Sequence, residues 1–211
     1  MGVRLRARLA SAVLILFAAP AAAQHWETPT FFSPRPADDI GVYITNADVF
    51  DEIGLMAIWR QTGNINLGVR AGLANLGPDD RGVLVGAEFM GPLNIGAGSG
   101  LLVAWMVGAG AVFNDVTLLR VPAGASIGLD LSRGTGLSLM PYAHPRLAFD
   151  LLAIGEGEDE ETVTEFNFEL DLGAEIGLGE RFLLRAAYTI GEFDTFGAGI
   201  AYRIPRPISV R

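Results

Sequence analysis

The stretch Thr164 to Gly177, TEFNFELDLGAEIG, alternates without a break, and few folds can accommodate it. Phe166, Phe168, Leu170, Leu172, Ala174 and Ile176 fall on one face. Glu165, Asn167, Glu169, Asp171, Gly173 and Glu175 fall on the other. A period of two belongs to a β-strand whose faces meet different surroundings. The carboxylates need water or cations, because an unpaired buried charge is very costly. A soluble barrel or sandwich would turn the apolar face into a core. A membrane barrel inverts that sense, with apolar side chains towards lipid and polar ones towards the lumen.

Other stretches favour the inverted sense. In 64–74, Ile65, Leu67, Val69, Ala71 and Leu73 oppose Asn64, Asn66, Gly68, Arg70 and Gly72. In 119–131, Leu119, Val121, Ala123, Ala125, Ile127 and Leu129 oppose Arg120, Pro122, Gly124, Ser126, Gly128 and Asp130. The second face in 99–113 is largely Gly100, Ala104, Met106, Gly108 and Gly110. A surface in water would be rich in long charged side chains. A glycine-rich face with few charges suits the crowded interior of a narrow barrel.

Strand candidates fall at 38–45, 52–61, 64–75, 81–90, 99–113, 116–131, 137–152, 163–177, 180–189 and 195–204. This predicts an all-β, antiparallel up-and-down transmembrane barrel of about ten strands, with eight as the other even count. No helical period separates the strands, which excludes a parallel βαβ arrangement. Pro122, Pro141 and Pro145 remove ladder donors, and a closed barrel has no edge to hide them. A bulge or a broken strand is expected there.

With the N-terminus placed in the periplasm, Phe113, Phe149, Phe166, Tyr188 and Phe196 fall near the upper strand ends on the apolar face. Trp59, Phe89, Phe182 and Tyr202 fall near the lower ends. Two aromatic bands flanking an aliphatic belt match the two interfaces of a bilayer. Trp105, in mid-strand, falls in neither band.

Residues 1–23 read as a secretory signal peptide. Arg4, Arg6 and Arg8 precede the apolar run Leu9 to Ala19, and Ala21 to Ala23 offer a cleavage site. That run is shorter than the ~20 residues a membrane helix needs. Removing it makes the chain more acidic than its net charge of -9, which argues against nucleic acid as a partner. Residues 24–37, with Pro29, Pro34 and Pro36, read as an extended lead-in, lying in the periplasm or entering the barrel as a plug. The barrel itself occupies 38–204, and 205–211 form a tail.

Over roughly residues 38–204 the chain resembles small bacterial outer-membrane β-barrel families of the opacity and porin-like kind. Its last strand, Gly199-Ile200-Ala201-Tyr202-Arg203-Ile204, is similar to the C-terminal signal read by the outer-membrane assembly machinery, through Gly199, Tyr202 and Ile204. That signal usually closes the chain with Phe; here Pro205 to Arg211 follow. The resemblance implies the outer membrane of a Gram-negative envelope, with lipid and the assembly machinery as partners, and a monomer.

On this register a lumen charge network is expected from Arg70, Glu88, Arg120, Asp130, Arg146, Asp150, Glu165, Glu169, Asp171, Glu175, Arg181, Arg185 and Arg203, with Arg60 also facing inward. Opposite charges on adjacent strands form cross-strand pairs. They serve either as a structural core that fills the barrel or as the lining of a restricted small-solute passage. Neither a catalytic residue nor a metal or cofactor is expected. His144 is the one anchor for an embedded hydrolase, and Ser126 and Ser138 have no recommending spacing. Glu156 to Glu161 could hold Ca²⁺ but lacks an EF-hand pattern, so it reads as a solvated acidic loop. A secreted lipocalin-like barrel binding an apolar ligand is the main alternative, and it requires the Phe166 face to point inward.

Overall fold

The computed structural model describes residues 28–47, 52–63, 65–75, 81–93, 100–113, 117–132, 136–154, 161–191 and 194–205. The expected signal peptide, most of the acidic loop and the tail beyond 205 lie outside them. Ten strands follow in order: β1 (Asp39–Ala47), β2 (Glu52–Gln61), β3 (Asn66–Asn75), β4 (Arg81–Leu93) and β5 (Leu101–Phe113). Then come β6 (Thr117–Leu129), β7 (Leu137–Ile154), β8 (Glu161–Leu178), β9 (Phe182–Ile190) and β10 (Thr195–Arg203). Each pairs antiparallel with its chain neighbour, and β10 pairs with β1 to close the barrel. The count is ten, not eight.

Closure satisfies every strand edge, which a sheet must do if it is to stand in lipid. The faces are inverted relative to a soluble protein. Along β9, Leu183, Arg185, Ala187 and Thr189 are buried, while Phe182, Leu184 and Ile190 are exposed. In β8, Phe166 is 72% exposed and Glu169 is 0% exposed. The outside is an almost continuous belt of Val, Leu, Ile and Phe. The Phe166 face points outward, opposite to what a lipocalin-like barrel requires.

Glycines on the inner wall make room for aromatic rings. Tyr43 on β1 pairs with Gly199 on β10, and a Cβ at Gly199 would sit 2.4 Å from the Tyr43 ring. Tyr142 on β7 lies over Gly173 on β8, where a Cβ would sit 2.3 Å from it. Each ring covers the surface its partner glycine leaves bare.

The prolines are handled by neither a bulge nor a break. Opposite Pro122, the β5–β6 ladder lapses between the Val107–Ala123 and Gly110–Arg120 pairs. Opposite Pro145, the β6–β7 ladder lapses between Gly124–Arg146 and Ile127–Ala143. Both resume in the same register, so each missing N–H costs a local gap and no shift of the inward set.

Around the outside, Phe149 meets Phe166 edge-on at 5.2 Å, and Phe182 meets Tyr202 at 5.7 Å. Trp105 falls beside the lower band after all. It pairs with Gly91, two residues from Phe89, because tilted strands are staggered and mid-strand is not mid-height. Among the described residues, β8 above Leu170 pairs only with β7, so this hairpin rises past β9. That explains the unusually high exposure of Phe166 and Phe168.

Leu147 lies mid-strand on the lipid face and is 53% exposed. Leu147→Arg should destabilise the barrel in liposomes by about 2–4 kcal/mol in urea titration, the cost of a cation in the lipid-facing belt. An unchanged midpoint would mean this face meets water.

Candidate functional site

The lumen gathers the buried ionisable side chains of the described residues. On directly opposed positions, Arg120 faces Asp150, Arg146 faces Glu169, His144 faces Asp171 and Arg185 faces Glu175. The strand register alone thus places Arg120, Arg146 and Arg185 across from carboxylates. Arg120 grips Asp150 through Nε at 2.7 Å and Nη2 at 2.9 Å, and Nη2 lies 2.6 Å from Glu169. Arg146 donates Nε to Glu169 and Nη1 to Asp171 at 3.2 Å. Arg185 donates Nε to Glu175 at 2.8 Å, Nη2 to Asp39 at 2.6 Å and Nη1 to the Tyr43 hydroxyl at 2.8 Å. Glu88 accepts from Arg60 Nε at 3.1 Å and from Arg70. The Gly68 opposite leaves space for the Glu88 carboxylate: a Cβ there would lie 2.7 Å from Oε1.

Residues 28–37 enter this lumen from the lower mouth, so this part of the lead-in is a plug. Thr28, Thr30, Phe31, Phe32 and Ser33 are all buried. Arg35 anchors the entry, 2.6 Å from Asp130 and bonded to Ser138 and Ser132. Hydrogen bonds from Ser132, and then Arg35, hold the Asp130 carboxyl below the usual carboxylate range. Above it, Phe31 stacks on Tyr43 at 4.3 Å and Phe32 meets His144 edge-on at 5.3 Å. Apolar side chains seal both sides of the charged layer: Phe31, Met56, Leu84, Val112, Leu118 and Leu152 in one cluster, Phe32, Met90 and Met106 in the other. Between them a cavity of about 20 Å³ remains beside Thr28, Arg70, Arg120 and Glu169, enough for one water.

His144 is fully buried. Its Nδ1 lies 2.9 Å from Thr30 Oγ1, which itself donates to Asp171 Oδ2 at 2.7 Å. Asp171 also accepts from Thr30 N at 3.1 Å and Thr189 Oγ1 at 2.8 Å. Nε2 has no hydrogen-bond partner among the described residues and faces Gly124.

Of the residues named from sequence, Arg70, Glu88, Arg120, Arg146, Asp150, Glu169, Asp171, Glu175 and Arg185 meet in the buried lumen. Glu165 is half-buried in the upper part of β8. Arg203 lies inward near the lower rim, its Nη2 3.5 Å from where a Gly177 Cβ would be. Two lie elsewhere. Asp130 is at the lower mouth, past the end of β6, and Arg181 is exposed in the turn before β9, where the alternation has stopped. Asp39, Tyr43, Thr30, Thr189 and Arg35 were missed. The run Asp39, Gly41, Tyr43, Thr45 against Ile40, Val42, Ile44 carried a signal for the first two.

No protein-family model matches the chain, and neither does any curated protein sequence. Solved structures do. The KdgM porin overlaps at a TM-score of 0.40 and 10% identity, over 79% of this chain and 99% of that one. The N-terminal β-barrel domain of Pseudomonas aeruginosa OprF gives 0.37 and 12%, over 81% and 100%. LpxR from Salmonella typhimurium gives 0.42 and 13%, over 82% and 86%. Likenesses of this size carry no inference about residues or activity.

Arg120→Met removes the cation between Asp150 and Glu169 and should cost about 3–5 kcal/mol in urea unfolding of the refolded barrel. Arg181→Met, in the exposed turn, should leave the midpoint where it was. Equal effects would mean the lumen pairs are as solvated as the turn.

Proposed function

We propose that this chain is a closed outer-membrane barrel with a structural role, its lumen filled by side chains and by its own N-terminal segment. One observation carries the reading: a lumen whose charges are paired and roofed by residues 28–37 while the outside is apolar. A barrel of ten strands is only slightly wider than one whose interior side chains just fill it. The paired arginines, carboxylates and plug occupy that space, which favours a filled core over a restricted small-solute passage. Passage would require the plug to leave.

The geometry speaks against hydrolysis. Thr30, His144 and Asp171 have the composition of a triad but not its arrangement. In a triad the nucleophile faces one imidazole nitrogen and the acid the other. Here Thr30 and Asp171 both lie on the Nδ1 side, and the Thr30 hydroxyl donates its hydrogen bond to the carboxylate. This imidazole orients a plug.

Fractionation followed by electrophoresis of unboiled and boiled samples tests the location. The expected result is an outer-membrane species whose mobility changes on boiling. In planar bilayers that species should give no steady conductance at neutral pH. A soluble periplasmic protein, or regular open-channel steps from the intact chain, would contradict the reading.

A further inference from the structure

The plug does not join the barrel as a strand; the wall reads its backbone. Thr28 O accepts from Arg146 Nη2 at 3.4 Å, Thr30 O from Arg60 Nη2 at 2.9 Å, and Phe32 O from Ser126 Oγ at 2.6 Å. The three donors stand on β7, β2 and β6, so alternate carbonyls of the segment are held from opposite walls of the barrel. Contacts to main-chain atoms give affinity, and pockets for alternate side chains give specificity.

The pockets are glycines. A Cβ at Gly197 would sit 2.5 Å from the Phe31 ring, and one at Gly128 would sit 2.7 Å from Pro34. Within the segment, Ser33 N donates to Phe31 O at 3.2 Å and Arg35 N to Ser33 Oγ at 3.4 Å, and Pro29, Pro34 and Pro36 fix φ at three positions. Phe31 takes φ of 51°, a left-handed conformation that a bulky side chain avoids unless its surroundings impose it. At Phe31 the wall imposes the conformation, as a receptor does on a ligand.

We propose that the lumen is a binding site for a peptide segment, loaded in cis by residues 28–37 and able to hold that peptide in trans. The inference rests on the closed-barrel reading and goes beyond it: the plug is a separable ligand, and its removal opens a passage. Arg60, Arg146, Ser126 and Asp171 are the groups that would grip an incoming peptide.

The test uses the full chain with a protease site inserted between Pro36 and Ala37, at the lower mouth where Pro36 is exposed. The barrel is refolded, cut, and offered a labelled synthetic peptide of residues 28–36. One labelled peptide per barrel should be taken up saturably. Bilayer conductance should appear when the cut segment is washed out and fall when peptide is returned. A peptide carrying Phe31→Glu and Phe32→Glu should compete at least about tenfold less well, since it loses the ring that fills the space at Gly197 and the ring that packs on His144 and Met90. A cut barrel that keeps its heat-dependent mobility yet exchanges no peptide would overturn the proposal. So would loss of that mobility on cutting, which would make the segment part of the fold. An uncut protein without that mobility would instead sink the underlying membrane reading.

Discussion

Charges inside a barrel have nowhere to go, and that constraint governs this molecule. With lipid outside, the polar face of every strand turns inward, where water is scarce and each ion needs a partner. The register supplies them. Arg120 with Asp150, Arg146 with Glu169 and Arg185 with Glu175 are opposed across neighbouring strands. All these cations are arginine, whose planar fork can hold two acceptors at once. Arg185 uses it to tie β9 to both β8 and β1, across the seam where the barrel closes. A slip of one residue would send each of these charges into the lipid, so the ion pairs also fix the register.

Small residues on the inner wall follow from the same crowding. Gly68 leaves room for Glu88, Gly173 for Tyr142, and Gly197 for Phe31. The remaining volume is occupied by the N-terminal segment, which meets the charged layer with main-chain carbonyls and uncharged side chains down to Arg35 at the mouth. It adds acceptors where arginine donors remain, and it adds no charge at the level of His144.

The architecture was legible because a period of two with charges on one face has few solutions. Phe166 to Ile176 gave the sense of the strands. The inward charges could be read to the extent that alternation held. Arg181 was misplaced because it stands in a turn, and Asp130 because its strand ends one residue earlier. Trp105 looked anomalous because strand tilt does not show in one dimension. The plug could be noticed but not located. Thr28 to Ala37 forms no ladder, so it carries no period, and its anchors lie from 30 to 141 residues away along the chain. The prolines misled for a physical reason too, since the barrel absorbs them as ladder gaps rather than as bulges.

Ser33 lies within the plug and is 6% exposed, whereas Ser132 is exposed at the lower rim. The chain has no cysteine, so a single one placed at either site is unique. The most direct measurement is the labelling rate of Ser33→Cys and Ser132→Cys by a membrane-impermeant maleimide on the folded barrel in lipid vesicles. With the N-terminal segment inside the lumen, the cysteine at 132 reacts at once and that at 33 reacts only after unfolding. Equal rates on a folded barrel would place the segment outside and leave the lumen unplugged.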